Sequence, residues 1–244
     1  MPVDTTWAND LDSMFKDANN NWFGTIQTPV MLFYNTEMLS EEEAPKDWAD
    51  LADAKYKDLI VSRDTGSSSI KSTLMSLVYQ YYANNEVDKA WDYLTSFDNN
   101  IKNYYSSQTL QFQAVGRKEA AISYATQSAI VDAITASGMP LKIVDATSGS
   151  PVITDGIAAI INAPHPNAAK AFVEFAGSAE MQAKLANEFN RIPTLKAAIE
   201  NSPEWMQESY KAMNVDWSVI SENESNWLQK FDTEIRDASK DKAE

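Results

Sequence analysis

The chain of 244 residues has no cysteine, a single histidine and no long run of apolar residues. The absence of cysteine excludes disulfides, thiolate metal sites and cysteine nucleophiles. No apolar run approaches the ~18 residues of a membrane-spanning helix, and residues 1–20 lack the basic start and apolar stretch of a signal peptide. Because 44% of the residues are hydrophobic, the chain is nevertheless predicted to fold around real cores.

Positive charge is also scarce. The 20 lysines and arginines face 35 aspartates and glutamates, which gives a net charge of -15 and a pI of about 4.5. A surface of this sign repels phosphate backbones and anionic lipid surfaces. Nucleic acid is therefore excluded as an expected partner.

The common hydrolase signatures are missing as well. The single histidine, His165, lies between two prolines in "APHPNAAKAF", a pattern typical of a tight turn before a helix. No nearby spacing supplies partners for a metal site or a Ser-His relay. Neither G-x-S-x-G nor H-E-x-x-H occurs. The sequence thus predicts no catalytic residues of these kinds.

One stretch, "LIVSRDTGSSSIKSTL" (59–74), looks like a phosphate-binding loop. Aligning its Lys-Ser on the P-loop pattern places Thr65 and Ile70 where both glycines should be, so that signature fails. Gly66 and three serines, Ser67, Ser68 and Ser69, still lie at a predicted helix N-terminus, where free N–H groups and the helix dipole favour an anion. The alternative is that one serine is only the N-cap. Local sequence leaves both open.

Strand and helix patterns alternate through the first two thirds of the chain, which predicts an α/β fold. Predicted strands lie at 29–35, at "LIVS", "EAAISYA" and "PLKIVDA", and at "VITDGIAAIIN"; predicted helices cover 7–18, "APKDWADLADAKY", the segment from 67, 86–97, 107–115 and "QSAIVDAITASG". The remainder is predicted to be helical, including 166–176, 178–188, 203–213 and 216–238. The charged tail "DASKDKAE" is predicted to be frayed.

Six segments in this order resemble the family 1 extracellular solute-binding proteins of ABC importers, in the iron, thiamine and phosphonate branch. They are "PVMLFYNTEML", "PKDWADLADAKYKDLIVSRDTGSS", "AVGRKEAAISYA", "SGMPLKIV", "TDGIAAIINAPHPNAAKAFVEFAGSAEMQAKLA" and "NRIPT". The resemblance runs from about residue 20 to residue 235.

The resemblance implies a type 2 periplasmic-binding-protein fold, with two α/β lobes joined by two crossover strands and a ligand held between them. "VMLFYN" resembles the first crossover and "ITDGIAAII" the return. Residues 36–150 would form one complete lobe, and residues 1–35 with 151–244 the remnant of the other. Such a lobe ordinarily includes ~100 N-terminal residues, an ordinary domain length, most of which this chain lacks. We therefore expect a truncated form.

The resemblance also implies partners and a compartment. The full-length protein would lie outside the cytoplasm, in the periplasm or as a cell-surface lipoprotein, and would deliver a small-molecule solute to a membrane ABC permease. An incomplete lobe leaves the helices "AKAFVEFAG" and "EMQAKLA" with uncovered apolar faces. Self-association through this lobe is therefore a further expectation. The last helix, 216–238, is predicted to pack against the same residual lobe.

The ligand expected from the resemblance is a small anion, such as a phosphonate or a phosphate ester, with no cofactor and no metal. Iron-binding members place a tyrosine pair after the strand that corresponds to "KEAAISYA", because phenolate oxygens suit ferric ion. This chain has Thr126, Gln127 and Ser128 there. Its Tyr104 and Tyr105 come one helix too early and are interpreted as packing residues. Ferric ion held by tyrosines is thus disfavoured.

The predicted ligand-binding residues combine the helix start with the loops opposite: Gly66, Ser67, Ser68, Ser69, Thr126, Gln127, Ser128, Ser148 and Asp155. Asp155 would orient an amino group or cap a turn. Three alternatives remain: a ferric-iron or polyamine-binding member of the family, a folded fragment that binds nothing and self-associates, and an enzyme that uses Asp64 or Asp155 as a base. No paired catalytic motif supports the enzyme.

Overall fold

The computed structural model describes residues 1–207 and 210–242. The chain divides into two compact units, each built from two segments. Unit 1 comprises Met1–Thr28 and Val152–Ser209, and unit 2 comprises Pro29–Pro151 and Tyr210–Glu244. The predicted lobe boundaries lie within a few residues of the first and second division points. The residues after Ser209, however, cluster with unit 2 instead of with the remnant lobe.

The strands are, in chain order, β1 (Phe23–Asn35), β2 (Ile60–Arg63), β3 (Ile101–Tyr105), β4 (Ile122–Thr126), β5 (Leu141–Val144), β6 (Val152–Ile157), β7 (Ile192–Pro193) and β8 (Asp241–Lys242). The helices are α1 (Ser68–Tyr82), α2 (Val87–Asn100), α3 (Gln108–Gly116), α4 (Gln127–Thr135), α5 (Pro166–Ala176), α6 (Ala179–Phe189), α7 (Lys196–Ile199), α8 (Glu204–Gln207) and α9 (Trp217–Lys230). Short 3-10 helices and a π-helical turn after α9 complete the described chain. Within it, no helix has both the length and the apolar character needed to cross a bilayer.

The sheet of unit 2 has the strand order β5-β1-β4-β2-β3-β8. β2 runs parallel to both β3 and β4, whereas β1 pairs with β4 and β5 in the antiparallel sense. β3 is a strand that the sequence patterns did not predict. The mixed sheet with helices confirms the α/β fold class.

Apolar residues from the strands and helices of unit 2 form a closed core. Phe33 from β1 and Phe112 from α3 stack with their ring centroids 5.1 Å apart, and Val61 and Ile130 are fully buried beside them. The helical spacing of Ile70, Leu74, Leu77, Val78 and Tyr81 predicts one buried stripe on α1. The first four are buried and Tyr81 is half-buried. These contacts make unit 2 a self-contained packing unit.

The C-terminal residues belong to this packing. α9 contacts α1, and the ring of Trp227 lies 5.2 Å from that of Tyr82. The expectation that this helix packs against the residual lobe is therefore wrong, because its apolar face is covered by unit 2.

The charged tail is ordered as far as residue 242, so the prediction of a frayed tail is wrong for that part; residues 243–244 lie outside the described residues. β8 pairs in parallel with the edge of β3. The ammonium group of Lys240 lies 3.0 Å from the carboxylate of Asp98, which is 3% exposed as a residue. The Tyr104 hydroxyl donates to the same carboxylate over 2.7 Å.

Unit 1 contains β6 and β7, which pair with β1, together with α5 to α8. Its core centres on Trp7, which meets Phe23 edge to face at 5.0 Å, and on the buried side chains of Val173 and Leu195. The helix predicted over 7–18 is replaced by two 3-10 turns, Ala8–Asp10 and Ser13–Phe15. Leu11 ends the first turn with an extended backbone, and Asp12 caps the second turn by accepting from the Met14 N–H, so a continuous helix does not form.

The apolar faces of unit 1 remain uncovered among the described residues, as the sequence predicted for α5 and α6. Six large apolar residues of the described part of this unit are more than half exposed: Met14, Ile160, Ile161, Phe172, Phe175 and Phe189. Over "VITDGIAAIIN" the predicted strand is correct for Val152–Ile157, the extent of β6, but its predicted burial is wrong, because every residue of β6 is half-buried or exposed. Ile160 and Ile161 lie beyond the end of β6 and are exposed.

Candidate functional site

Three parallel strands of unit 2 end at the same edge of the sheet, and each is followed at once by a helix. β2 leads into α1, β3 into α3 and β4 into α4. Because the carboxyl ends of parallel strands point the same way, three helix N-termini are brought to one side. In open α/β sheets this edge is where ligands bind.

None of these three helices has a side-chain N-cap. The residues in the N-cap position, Ser67, Ser107 and Thr126, accept no hydrogen bond from the first turn of their helices. By contrast, Ser178 accepts from the Met181 N–H at the start of α6. The first N–H groups of a helix need an acceptor from outside the helix. At this edge a ligand can supply it.

A cavity of about 10 Å³ lies where these helix starts meet. It is lined by residues from β2 and β4 and from the first turns of α1 and α3: Arg63, Ser69, Ile70, Gln108, Gln111, Ala125 and Thr126. This is close to the smallest volume that holds one water-sized group. The cavity can therefore hold one atom of a ligand's head group, with the rest outside it.

Two of the lining residues have buried polar atoms without a hydrogen-bond partner among the described residues: Nε of Arg63 and Oε1 of Gln111. Gln127, next to Thr126, has a buried Oε1 in the same condition. Such atoms are rare in native proteins because each loses its contact with water without replacement. Arg63 and Gln111 line the cavity, which indicates that a polar group there would complete the site, whereas Gln127 is outside the lining.

The orientation of the Gln111 amide is set by its neighbours. Its Nε2 donates to the Ser123 hydroxyl over 2.7 Å and to the Tyr124 carbonyl over 3.0 Å. The Ser123 hydroxyl donates its own proton to the Val61 carbonyl, and a carbonyl can only accept. The atom of Gln111 that lacks a partner is therefore an acceptor.

The structure brings several predicted residues together here. Ser69 and Thr126 line the same cavity, and the hydroxyls of Ser67 and Ser69 lie 3.1 Å apart. Gly66 and Ser68 adjoin them at the start of α1, where the Gly66 N–H donates to the Asp64 carboxylate. Gln127 and Ser128 form the first turn of α4.

Ser148 lies elsewhere in unit 2. Its amide and its hydroxyl both donate to the Asp47 carboxylate, over 2.6 Å and 2.7 Å. Both residues line a separate cavity of about 150 Å³ together with Trp48 and Tyr81. Burial alone would raise the pKa of Asp47, but hydrogen bonds from Thr147, Ser148 and Ala49 hold it below its ordinary value.

Asp155 belongs to unit 1. It lies on β6 and accepts a hydrogen bond of 2.8 Å from the Thr28 hydroxyl, within the same unit. The side chain is exposed and therefore open to solvent. Its role as a ligand residue stays a prediction.

The tyrosine pair is buried, which confirms its interpretation as packing. Tyr104 donates to Asp98, and burial together with that carboxylate raises its pKa well above the usual range. Tyr105 is 7% exposed and lies in the core with Phe33 and Phe112. Among residues 1–207 and 210–242, no group of three His, Cys, Asp or Glu side chains could hold a metal ion.

The sequence reasoning missed Arg63 and Gln111. Arg63 is the last residue of β2, so its position at the carboxyl end of a predicted strand was a usable signal. Gln111 is one of three glutamines in the short helix α3, and nothing local distinguishes it from a solvent-exposed residue. Its burial depends on the pairing of β2 with β4, which no local pattern shows.

The sequence matches the family model described as bacterial extracellular solute-binding protein over residues 1–223. A probable ABC transporter periplasmic-binding protein, y4fP of Sinorhizobium fredii (strain NBRC 101917 / NGR234), is 32% identical over 242 residues. The match covers 96% of this chain and 67% of that relative.

Solved structures share the fold. The apo ferric ion-binding protein A of Pasteurella haemolytica has a TM-score of 0.85 at 16% identity, over 98% of this chain and 77% of that one. The periplasmic binding protein AfuA of Actinobacillus pleuropneumoniae, solved with fructose-6-phosphate, has a TM-score of 0.77 at 22% identity, over 96% and 76%. These identities support the fold alone. The family match and the relative together show that the chain belongs to the bacterial extracellular solute-binding proteins, with the fold of the type 2 periplasmic binding proteins.

Proposed function

We propose that this chain captures a small anionic solute, of the phosphonate or phosphate-ester class, and that unit 2 holds the anionic group. The family is that of the extracellular solute-binding proteins, and the Sinorhizobium relative carries the name of an ABC transporter periplasmic-binding protein. The full protein would work outside the cytoplasm and pass the solute to a membrane permease. No chemical step is part of this proposal.

The observation that carries the proposal is the meeting of three uncapped helix starts beside Arg63. Each helix N-terminus carries a partial positive charge of about half an elementary charge and free N–H donors. The Lys71 N–H donates to the Ser67 carbonyl. The N–H groups of α1 before Lys71 are therefore those available to an outside acceptor. An oxyanion supplies several acceptors at once.

Arg63 adds a full positive charge at the same place. Its Nη2 donates to the Ser106 carbonyl over 2.9 Å, which fixes the guanidinium beside the cavity. The net charge of -15 does not oppose capture, because salt screens distant charges beyond ~8 Å while the helix donors act at contact distance. The Asp64 carboxylate, in the loop before α1, already accepts from the Gly66 N–H.

The ferric alternative has less support from this chain's residues. Several solved structures of this fold are ferric-ion-binding proteins, at 16–21% identity. In this chain both candidate tyrosines are buried in unit 2, and Tyr104 donates to Asp98. AfuA, solved with fructose-6-phosphate, shows that this fold also accepts an anionic organic solute.

A thermal-shift panel tests the proposal. Inorganic phosphate, methylphosphonate, sugar phosphates, polyamines and ferric citrate would be added to the wild type and to Arg63→Met. A ligand at 100 times its Kd stabilises the native state by about 2.7 kcal/mol, which raises Tm by several degrees in a chain of this size. We expect a shift with a phosphate or phosphonate that is lost in Arg63→Met.

The matched control is Arg117→Met, which removes the same charge from an exposed position at the end of α3. It should leave the shift unchanged. A rise in Tm of equal size in Arg63→Met and in the wild type would contradict this site. A rise in Tm with polyamines or ferric citrate alone would mean that the solute is one of those and not an anion of the phosphate class.

We also propose that this chain associates with a second copy of itself through unit 1. The exposed side chains of Ile160, Ile161, Phe172, Phe175 and Phe189 carry this proposal. Monomeric soluble proteins rarely expose large apolar areas without a binding partner. A second copy offers the same side chains, so the contact can be self-complementary.

A further inference from the structure

An atom that enters the small cavity beside Arg63 must accept one hydrogen bond and donate another. Arg63 contributes a buried Nε, which can only donate, and Gln111 contributes a buried Oε1, which can only accept. Gln111 is 0% exposed, so its oxygen has no access to bulk water. The cavity holds about one oxygen atom.

A hydroxyl oxygen meets both demands. It accepts a hydrogen bond with its lone pairs and donates one with its proton. A fully ionised oxyanion oxygen accepts from Arg63 but has no proton for Gln111. Such an oxygen would face the lone pairs of the glutamine carbonyl, and the acceptor would remain buried without a partner.

We propose that this cavity selects a protonated oxyanion, the P–OH group of a phosphate monoester or phosphonate monoanion, and that Gln111 is the residue that sets this selectivity. The proposal rests on the anion capture proposed above and specifies the class of head group. The remaining oxygens of the head group carry the negative charge and meet the N–H donors at the starts of α1, α3 and α4. Sulfates and sulfonates have similar size and shape, but they carry no proton near neutral pH.

The test compares pairs of oxyanions that differ in this proton. Isothermal titration of the wild type at pH 6, near the second pKa of phosphate esters of about 6, would use phosphate against sulfate and methylphosphonate against methanesulfonate. Leaving the buried acceptor unpaired should weaken binding of each sulfur compound by about tenfold or more. This ratio is measured on the unaltered protein, so it stands even if a variant fails to fold.

Two variants sharpen the result. Gln111→Met keeps the length of the side chain and removes the acceptor. The ratio of affinities for each phosphorus compound and its sulfur counterpart should therefore fall towards one. Gln113→Met, on the same helix and outside the cavity lining, is the matched control and should keep the wild-type preference.

The outcomes separate this inference from the proposed function. Equal affinity for phosphate and sulfate, both sensitive to Arg63→Met, overturns the selectivity and leaves anion capture in place. An unchanged preference in a folded Gln111→Met variant also overturns it. Absence of binding for all four oxyanions overturns both proposals.

Discussion

The two units differ in the groups that they leave without a partner. In unit 2 the core side chains Phe33 and Val61 are fully buried, and the uncapped helix starts after β2, β3 and β4 meet at one edge of the sheet. In unit 1 the starts of α5 and α7 also lack side-chain caps, but Phe172 and Phe175 of α5 lie in water.

The difference indicates what each unit can bind. Uncapped N–H groups and a half-buried arginine gain most from a charged, hydrogen-bonding ligand, and they gain little from an apolar surface. Exposed phenylalanines gain from burial against another apolar surface. Unit 2 therefore has the features of a solute site and unit 1 those of a protein contact.

The largest expected effect comes from truncating one phenylalanine in each unit. Phe33→Ala removes a fully buried ring that stacks on Phe112 and should lower the free energy of unfolding by about 3–5 kcal/mol. Phe175→Ala, at a position 59% exposed, should change it by less than about 0.5 kcal/mol. Urea unfolding followed by tryptophan fluorescence measures both.

Phe175→Ala has a second readout. If unit 1 mediates self-association, sedimentation velocity should show a smaller dimer fraction for this variant than for the wild type. A large loss of stability in Phe175→Ala would mean that the ring is covered within the molecule, and the comparison between the units would then fail.

The sequence predicted those parts of the fold that depend on local patterns. The apolar stripe of α1 repeats at helical spacing and is buried as predicted at Ile70 and Leu74. The serines after β2 were interpreted correctly as the start of this helix, because strand, turn and helix signals follow one another. Ser69 and Thr126, 57 positions apart by their numbering, line one cavity, and their predicted role in holding a ligand stays a prediction.

Other parts depend on contacts between distant segments. The sequence patterns missed β3 because "IKNYY" is short, lies between two helices and has no regular alternation of polar and apolar residues. Its pairing with β2 makes it a strand. The position of α9 was wrong because an amphipathic helix shows which face is buried but not against what. Gln111 was missed for the same reason, since its burial follows from the packing of α3 on the sheet.

The next effect concerns the C-terminal tail, in which Lys240 forms an ion pair with the buried Asp98 of α2. Lys240→Met leaves the Asp98 carboxylate, whose side chain is 4% exposed, without its cation. Breaking a buried pair from one side costs about 3 kcal/mol or more. We expect a loss of about this size in urea unfolding. Lys242→Met, two residues along in an exposed position of β8, is the control and should have little effect. Equal effects of the two variants would show that the Asp98 contact is not specific.

The smallest effect is the acid sensitivity that Asp47 gives to unit 2. Hydrogen bonds from Thr147, Ser148 and Ala49 outweigh burial and hold the pKa of Asp47 below the ordinary value of an aspartate. A carboxyl group whose folded pKa is depressed stabilises the fold above its unfolded pKa, and this stability is lost as pH falls through the lower folded pKa. The wild type should therefore lose stability below about pH 4. After discounting for solvent screening, the Asp47 contribution to the free energy of unfolding should be under about 1 kcal/mol.

Asp47→Asn should be less stable than the wild type at pH 7, and the difference in free energy of unfolding should shrink towards pH 3 in urea titrations. Asp92→Asn, exposed on α2, should show no such convergence. A constant gap between Asp47→Asn and the wild type across this range would mean that the loop 147–148 is held by the geometry of Asp47 and not by its charge.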